Sequence, residues 1–172
     1  MEYVIAFLYG LEPVQNLNEQ LKDIDLRDEK NNTFSVKFQA KAAQTGNFSF
    51  ETKLIDSRTQ EWIDGNFLKC KTNYYLMTVP SLYDEDGYHV FVFETKKLHD
   101  FVMNTKRRVV RLTDPRAIAS NAGRKYDDAE NLLVSVAECA AICLKKVTFR
   151  YNTVKTDEKY KNFLTKHKKS FK

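Results

Sequence analysis

The chain has 172 residues, 42% hydrophobic and 13% aromatic, enough for one substantial core and too few for two comfortable domains. That composition excludes a disordered chain, because twelve Phe and nine Tyr supply surface to bury against the entropy of ordering. A net charge of +5 and a pI near 9.0 suit an acidic partner such as nucleic acid without demanding one, since 23 acidic residues offset most of the 28 basic ones.

In chain order, the apolar opening at residues 3–9 is broken by Gly10 and Glu12 and lacks a basic flank, so it reads as neither a signal peptide nor a membrane span, and a cytoplasmic protein without membrane contact is expected. Val14, Leu17 and Leu21 recur at helical spacing and predict a short helix over 14–22. Residues 23–26 alternate acidic and apolar side chains, 28–32 carry turn chemistry, and 33–39 alternate again through Phe34, Val36 and Phe38, which together signal a hairpin. After a loop at 40–46, residues 47–53 alternate with Phe48 and Phe50 on one face, so three consecutive antiparallel strands are expected. Residues 74–79 suit a short helix or a strand, and 88–93 form a β-branched and aromatic run suited to a strand covered on both faces. A helix over 95–104, a strand over 107–112 and a long helix over 126–145 follow, the last with Asp127 and Glu130 spaced as a capping box. Residues 147–151 alternate as a final strand before a polar segment that suits a helix around Tyr160, Phe163 and Leu164. The fold class expected is α/β: a mixed central sheet with an antiparallel hairpin core, flanked by helices. One domain spans 1–154, and 155–172 is a basic helix or solubilising tail.

Three cysteines, Cys70, Cys139 and Cys143, cannot all pair and suit a reducing compartment. Cys139 and Cys143, four apart and without neighbouring histidines, read as packing residues, because structural zinc takes four ligands. His89, His99 and His167 are too scattered to suggest a ligand set or a nucleophile dyad. No Gly-rich phosphate loop or Ser-His-Asp order occurs.

If both loops of the expected three-stranded meander are symmetric, Asp25 lies opposite Ser35 and Ser35 opposite Glu51, with Lys37 two residues along on the same face. Directly opposed side chains have Cβ atoms about 4.5–5.5 Å apart, so Asp25 and Glu51 would share one side of the sheet and make a candidate divalent-metal pair. A slip of one residue would send each side chain to the other face.

The order Asp23-Ile-Asp25, Ser35-Val-Lys-Phe-Gln39 and Thr45-Gly-Asn-Phe-Ser-Phe-Glu51 resembles the core of the PD-(D/E)xK nuclease superfamily, particularly its small phage-type members. The resemblance spans about residues 21–79 and implies a restriction-endonuclease-like fold, metal-dependent hydrolysis of DNA phosphodiester bonds, Mg²⁺ or Mn²⁺ as cofactor, and a homodimer. Asp25 and Lys37 match the family's first acid and its lysine, while Ser35 stands where the second acid is expected. Either the acid has moved, with Glu51 as the candidate, or hydrolysis is lost and the scaffold binds nucleic acid or a host protein. With Glu51 in place, Asp25 and Glu51 would hold the metal, Lys37 would orient the attacking water, and Gln39 would steady the water or phosphate.

The same residues have plainer readings. Asp23, Asp25 and Glu51 suit solvated positions on a wet sheet face. Lys41, Lys106, Arg107, Arg108, Arg111, Arg124 and Lys125 suit either a phosphate-contacting surface or an ordinary charged one.

Overall fold

The computed structural model describes residues 1–56, 59–104, 108–112 and 126–168. Helix α1 (Glu2–Tyr9) ends where Gly10 takes the left-handed conformation at φ 64° and Leu11 N–H turns back onto the Ala6 carbonyl at 2.8 Å. After β1 (Glu12–Pro13), α2 (Leu17–Gln20) is a single turn, capped by the Asn16 side chain accepting from Asn18 N–H at 2.9 Å. The longer helix expected over 14–22 does not form; Leu17 and Leu21, meant for its apolar face, are exposed and have no core to bury against.

Strands β2 (Leu26–Arg27) and β3 (Thr33–Phe38) form the expected hairpin, with Leu26 opposite Phe34. Asp28 ties its turn by accepting from the N–H groups of Lys30 and Asn32 at 2.9 and 2.8 Å, and Asn31 takes φ 63°. The next elements are α3 (Ala42–Thr45), β4 (Asn47–Asp56), β5 (Trp62–Asp64), α4 (Asn66–Lys69), β6 (Tyr74–Pro80), β7 (Gly87–Glu94) and α5 (Thr95–Asn104). Beyond them lie β8 (Arg108–Leu112), β9 (Tyr126–Ser135), α6 (Val136–Ala140), β10 (Lys145–Arg150), α7 (Tyr151–Thr156) and α8 (Glu158–Lys168).

The architecture is mixed α/β. A six-stranded sheet runs β1-β2-β3-β6-β7-β10, antiparallel throughout except that β3 and β6 are parallel. A second sheet, β5-β4-β9-β8, covers one of its faces. Alternation along the central strands serves both sides. Tyr75, Met77, Phe91 and Phe93 face the second sheet, where Phe48, Phe50, Phe67, Leu98 and Val134 meet them, while Leu76, Val90 and Val92 face α1, α7 and α8. No helix among the described residues is long and apolar enough to cross a membrane.

Two expectations fail for tertiary reasons. The third strand of the meander, β4, does not pair with β3: Ser35 lies beside Tyr75 of β6, and Glu51 lies opposite Asn131 of β9. Between β3 and β4 the chain makes α3 and turns at Gly46, φ 67°, so β4 crosses over the sheet and buries Phe48 and Phe50 against Phe91, Phe93 and Phe67. Residues 126–145 are not one helix. They form β9, the short helix α6 and the start of β10, because Leu132 and Val134 alternate opposite Phe50 and Phe48, and that long-range pairing overrides the helical spacing.

The C-terminal segment is a packed helix as far as the described residues extend. Tyr160 and Phe163 set their rings 5.3 and 5.9 Å from that of Phe7 in α1. The turn between β6 and β7 anchors α7: both carboxylate oxygens of Asp86 accept from Asn152 N–H at 3.0 Å, and Asp84 pairs with Arg150 at 2.8 Å.

Candidate active site at the fork between β2 and β3

Pairing between β2 and β3 stops at Leu26 and Phe34, and Asp25 N–H donates to the Phe34 carbonyl at 2.9 Å. Past that point the strands diverge. The next β3 amide on that side, Val36 N–H, donates to the Asp25 carboxylate at 2.6 Å, so a side chain takes the place of a strand partner. The residue expected opposite Asp25, Ser35, is fully buried and points its hydroxyl at Asp23 Oδ2 (3.1 Å) and Asp25 Oδ2 (3.5 Å).

Asp23 has φ 66°, a left-handed conformation that Asp tolerates better than most residues, and its amide closes the turn after α2 by donating to Gln20 O at 2.9 Å. This geometry presents the Asp23 carboxylate to Ser35 on one oxygen and to the Lys37 ammonium on the other. Lys37 extends from β3 on the same face as Ser35, two residues away, as its spacing predicted. Glu2, in the first turn of α1, is half-buried and close enough to feel the charges of Asp25 and Lys37.

The electrostatics are those of carboxylates short of positive charge. Burial, with the Asp25 charge added, pushes the Glu2 carboxyl up to about 6, against the opposing pull of the chain's terminal amine and Lys37. Asp25 is likewise held above its usual range, chiefly by burial and further by Asp23, although Lys37, Val36 N–H and Ser35 oppose the shift. The Tyr75 phenol, beside Ser35 in the β3–β6 register, is driven well above its usual value by burial and by the charges of Asp23, Cys70, Asp25 and Glu51. Burial also raises the Cys70 thiol, whose sulfur lies 3.2 Å from Thr72 Oγ1.

The structure therefore brings Asp25 and Lys37 together and adds Asp23 and Glu2, while Glu51 and Gln39 have other partners. Glu51 Oε1 accepts from Asn66 N–H at 3.1 Å, at the start of α4, and its backbone oxygen sits where a Cβ on Gly65 would come within 2.5 Å. Glu51 still acts on Tyr75 through its charge, from the second sheet. Gln39 bridges the two sheets: its Nε2 donates to Ser49 O at 2.9 Å and its Oε1 accepts from Ser49 N–H at 3.3 Å. Lys41 is exposed at the start of α3, whereas Arg108 and Arg111 lie on β8 opposite Leu133 and Glu130. Lys106, Arg107, Arg124 and Lys125 lie outside the described residues.

Sequence reasoning missed Glu2 because its partners are more than twenty residues away in the chain. Asp23 was legible only as one acid of an alternating pair, since the left-handed turn that aims it has no signature beyond the Asp itself. Tyr75 enters the site through the β3–β6 crossover, which no local pattern announces. Among the described residues, no group of three or more His, Cys, Asp or Glu side chains is arranged to hold a metal ion. Compared with known proteins, the chain matches no family model, no curated protein and no solved structure.

Proposed function

We propose that the chain is a cytoplasmic, Mg²⁺- or Mn²⁺-dependent endonuclease that hydrolyses DNA phosphodiester bonds on a restriction-endonuclease-like core, as its resemblance to the PD-(D/E)xK nucleases implies. One observation carries the reading: Lys37 shares the fork between β2 and β3 with Asp23 and Asp25, and the Glu2 carboxyl of α1 feels the charges of Asp25 and Lys37. The donors are hard carboxylate oxygens, and Mg²⁺ is commonly held by one or two carboxylates, with water and substrate phosphate completing its shell. A site without a cage of three protein ligands is compatible with that mode of binding.

In this reading Asp25 and Glu2 would hold the cation, and the proton affinity that burial confers on both becomes affinity for a divalent ion. The cation, when bound, supplies charge neutralisation for the phosphate and a more acidic water. Lys37 directs its ammonium at the negative charge that develops on the phosphate. Asp23 keeps that ammonium in place, and the Ser35 hydroxyl steadies Asp23.

The test is cleavage of single-stranded and duplex DNA with Mg²⁺, Mn²⁺ or EDTA, comparing wild type with Asp25→Asn, Lys37→Ala and Glu51→Gln. Metal-dependent cutting that disappears in the first two variants and survives in the third supports this site. Loss in Glu51→Gln with unchanged stability would return Glu51 to the metal. The buried Ser35, seated where an acid is expected, favours a second reading: an inactive scaffold that binds nucleic acid or a host protein. Folded protein that cuts nothing with either metal would remove the hydrolytic reading, and binding of nucleic acid or a host protein by that inactive protein would support the alternative.

A further inference from the structure

At the fork between β2 and β3 the acidic side chains outnumber the basic ones. Asp23, Asp25 and Glu2 bring three carboxylates, and among the described residues Lys37 is the side-chain cation that answers them: its ammonium pairs with Asp23 and lowers the proton affinity of both Asp25 and Glu2. The pair is sheltered, with the side chains of Lys37 and Asp23 only 26% and 19% exposed, so solvent screens it less than a surface pair.

The acids do not depend on Lys37 for their positions. Val36 N–H holds Asp25 Oδ2 at 2.6 Å, the Ser35 hydroxyl donates to Asp23 Oδ2 at 3.1 Å, and Asp23 is aimed by its own backbone at φ 66°. Glu2 is carried by α1, whose Val4 and Ile5 are buried in the core. Removing the ammonium would therefore leave these groups in place and change chiefly the charge they face. An ammonium and a divalent ion that neutralise the same carboxylates also repel each other, so each weakens the other's hold, and by the same factor.

We infer that Lys37 is the resident counter-ion of the fork and competes with a divalent cation for the negative charge of Asp23, Asp25 and Glu2, so that cation binding loosens the Lys37–Asp23 pair and frees the ammonium for a phosphate. Until then Asp23 keeps the ammonium at the fork, where its charge is spent on carboxylates. The inference rests on the metal-dependent reading of this site and adds an order of assembly to it, cation first and anionic substrate second.

The experiment uses Mn²⁺ alone, without DNA, and follows its binding through loss of the free-ion electron paramagnetic resonance signal. Wild type is compared with Lys37→Met, Lys37→Arg and Lys41→Met. Lys37→Met is expected to bind Mn²⁺ at least about tenfold more tightly, because a unit charge a few ångströms from a divalent ion is worth about that factor even at the dielectric constant of water. Lys37→Arg keeps the charge and should stay near wild type. Lys41→Met removes an exposed charge outside the fork and should change the affinity by less than about twofold. A second measurement needs only wild type, so it stands even if Lys37→Met does not fold: acetylation of Lys37 by acetic anhydride, read by peptide mass spectrometry against Lys41, should quicken at least about twofold when Mn²⁺ saturates the protein. Equal or weaker Mn²⁺ binding by Lys37→Met, or a Lys37 acetylation rate that Mn²⁺ leaves unchanged, would overturn the inference while leaving the cation at the fork. Absence of Mn²⁺ binding in all four proteins would remove the cation itself, and the metal-dependent reading with it. Tighter binding by Lys37→Met in a protein whose wild type cuts no DNA would keep the counter-ion and remove the hydrolysis.

Discussion

Glu2→Gln is expected to stabilise the protein at alkaline pH and to leave it unchanged in acid. Folding moves the Glu2 carboxyl from its ordinary 4.5 to about 6, so between those values the folded state holds more protons than the unfolded one. The proton stabilises the fold below 4.5, and that contribution is lost as pH rises through 6. At about 1.4 kcal/mol per tenfold change in proton affinity the full effect would be about 2 kcal/mol. Glu2 is only half-buried, and solvent screening reduces the figure to about 1 kcal/mol. The variant should therefore melt about 2–4 °C above wild type at pH 8 in EDTA and coincide with it at pH 4. Thermal melts across that range make the comparison. Adding Mg²⁺ should raise the wild-type midpoint more than the variant's and close the gap if Glu2 shares the cation. A variant equal to wild type at pH 8, or one whose advantage is independent of pH, would refute the reasoning that burial beside Asp25 destabilises the charged Glu2.

Phe48→Ala should cost about 3–5 kcal/mol in urea unfolding, because the ring is fully buried against Phe50, Phe91 and Phe93; a cost near zero would contradict the packing of β4 over the six-stranded sheet. Gly65→Ala should destabilise by about 1–3 kcal/mol, since its Cβ would sit 2.5 Å from the Glu51 carbonyl oxygen, whereas Gly10→Ala meets open space and should lose about 1 kcal/mol through its positive φ alone. Chemical denaturation of the two variants side by side would expose a wrong placement of α4 if their order were reversed. Asp86→Ala should lower stability by about 0.5–2 kcal/mol by freeing the Asn152 amide of α7, and hydrogen exchange should quicken at Asn152 before it does so in β7.

Much of the local structure was legible because it is enforced locally. The β2–β3 hairpin follows from Asp28 and its turn, α5 from the spacing of Leu98, Phe101 and Val102, and β7 from an unbroken run that only a strand covered on both sides can bury. The register of the first hairpin also followed, and with it the placement of Asp25 and Lys37 about Ser35. What tertiary structure alone decided was the partner of each strand further along the chain. Alternation in β4 shows that one face is buried but not whether its backbone pairs with β3 or crosses to a second sheet, and pairing with β9 settled both that strand and the fate of residues 126–135. The same choice removed Glu51 from the position opposite Ser35 and installed Tyr75 there, through a parallel pairing of strands nearly forty residues apart. Side-chain period is a property of one strand, whereas partnership is a property of two, and only burial of both faces of the central sheet selects among the pairings that the periods allow.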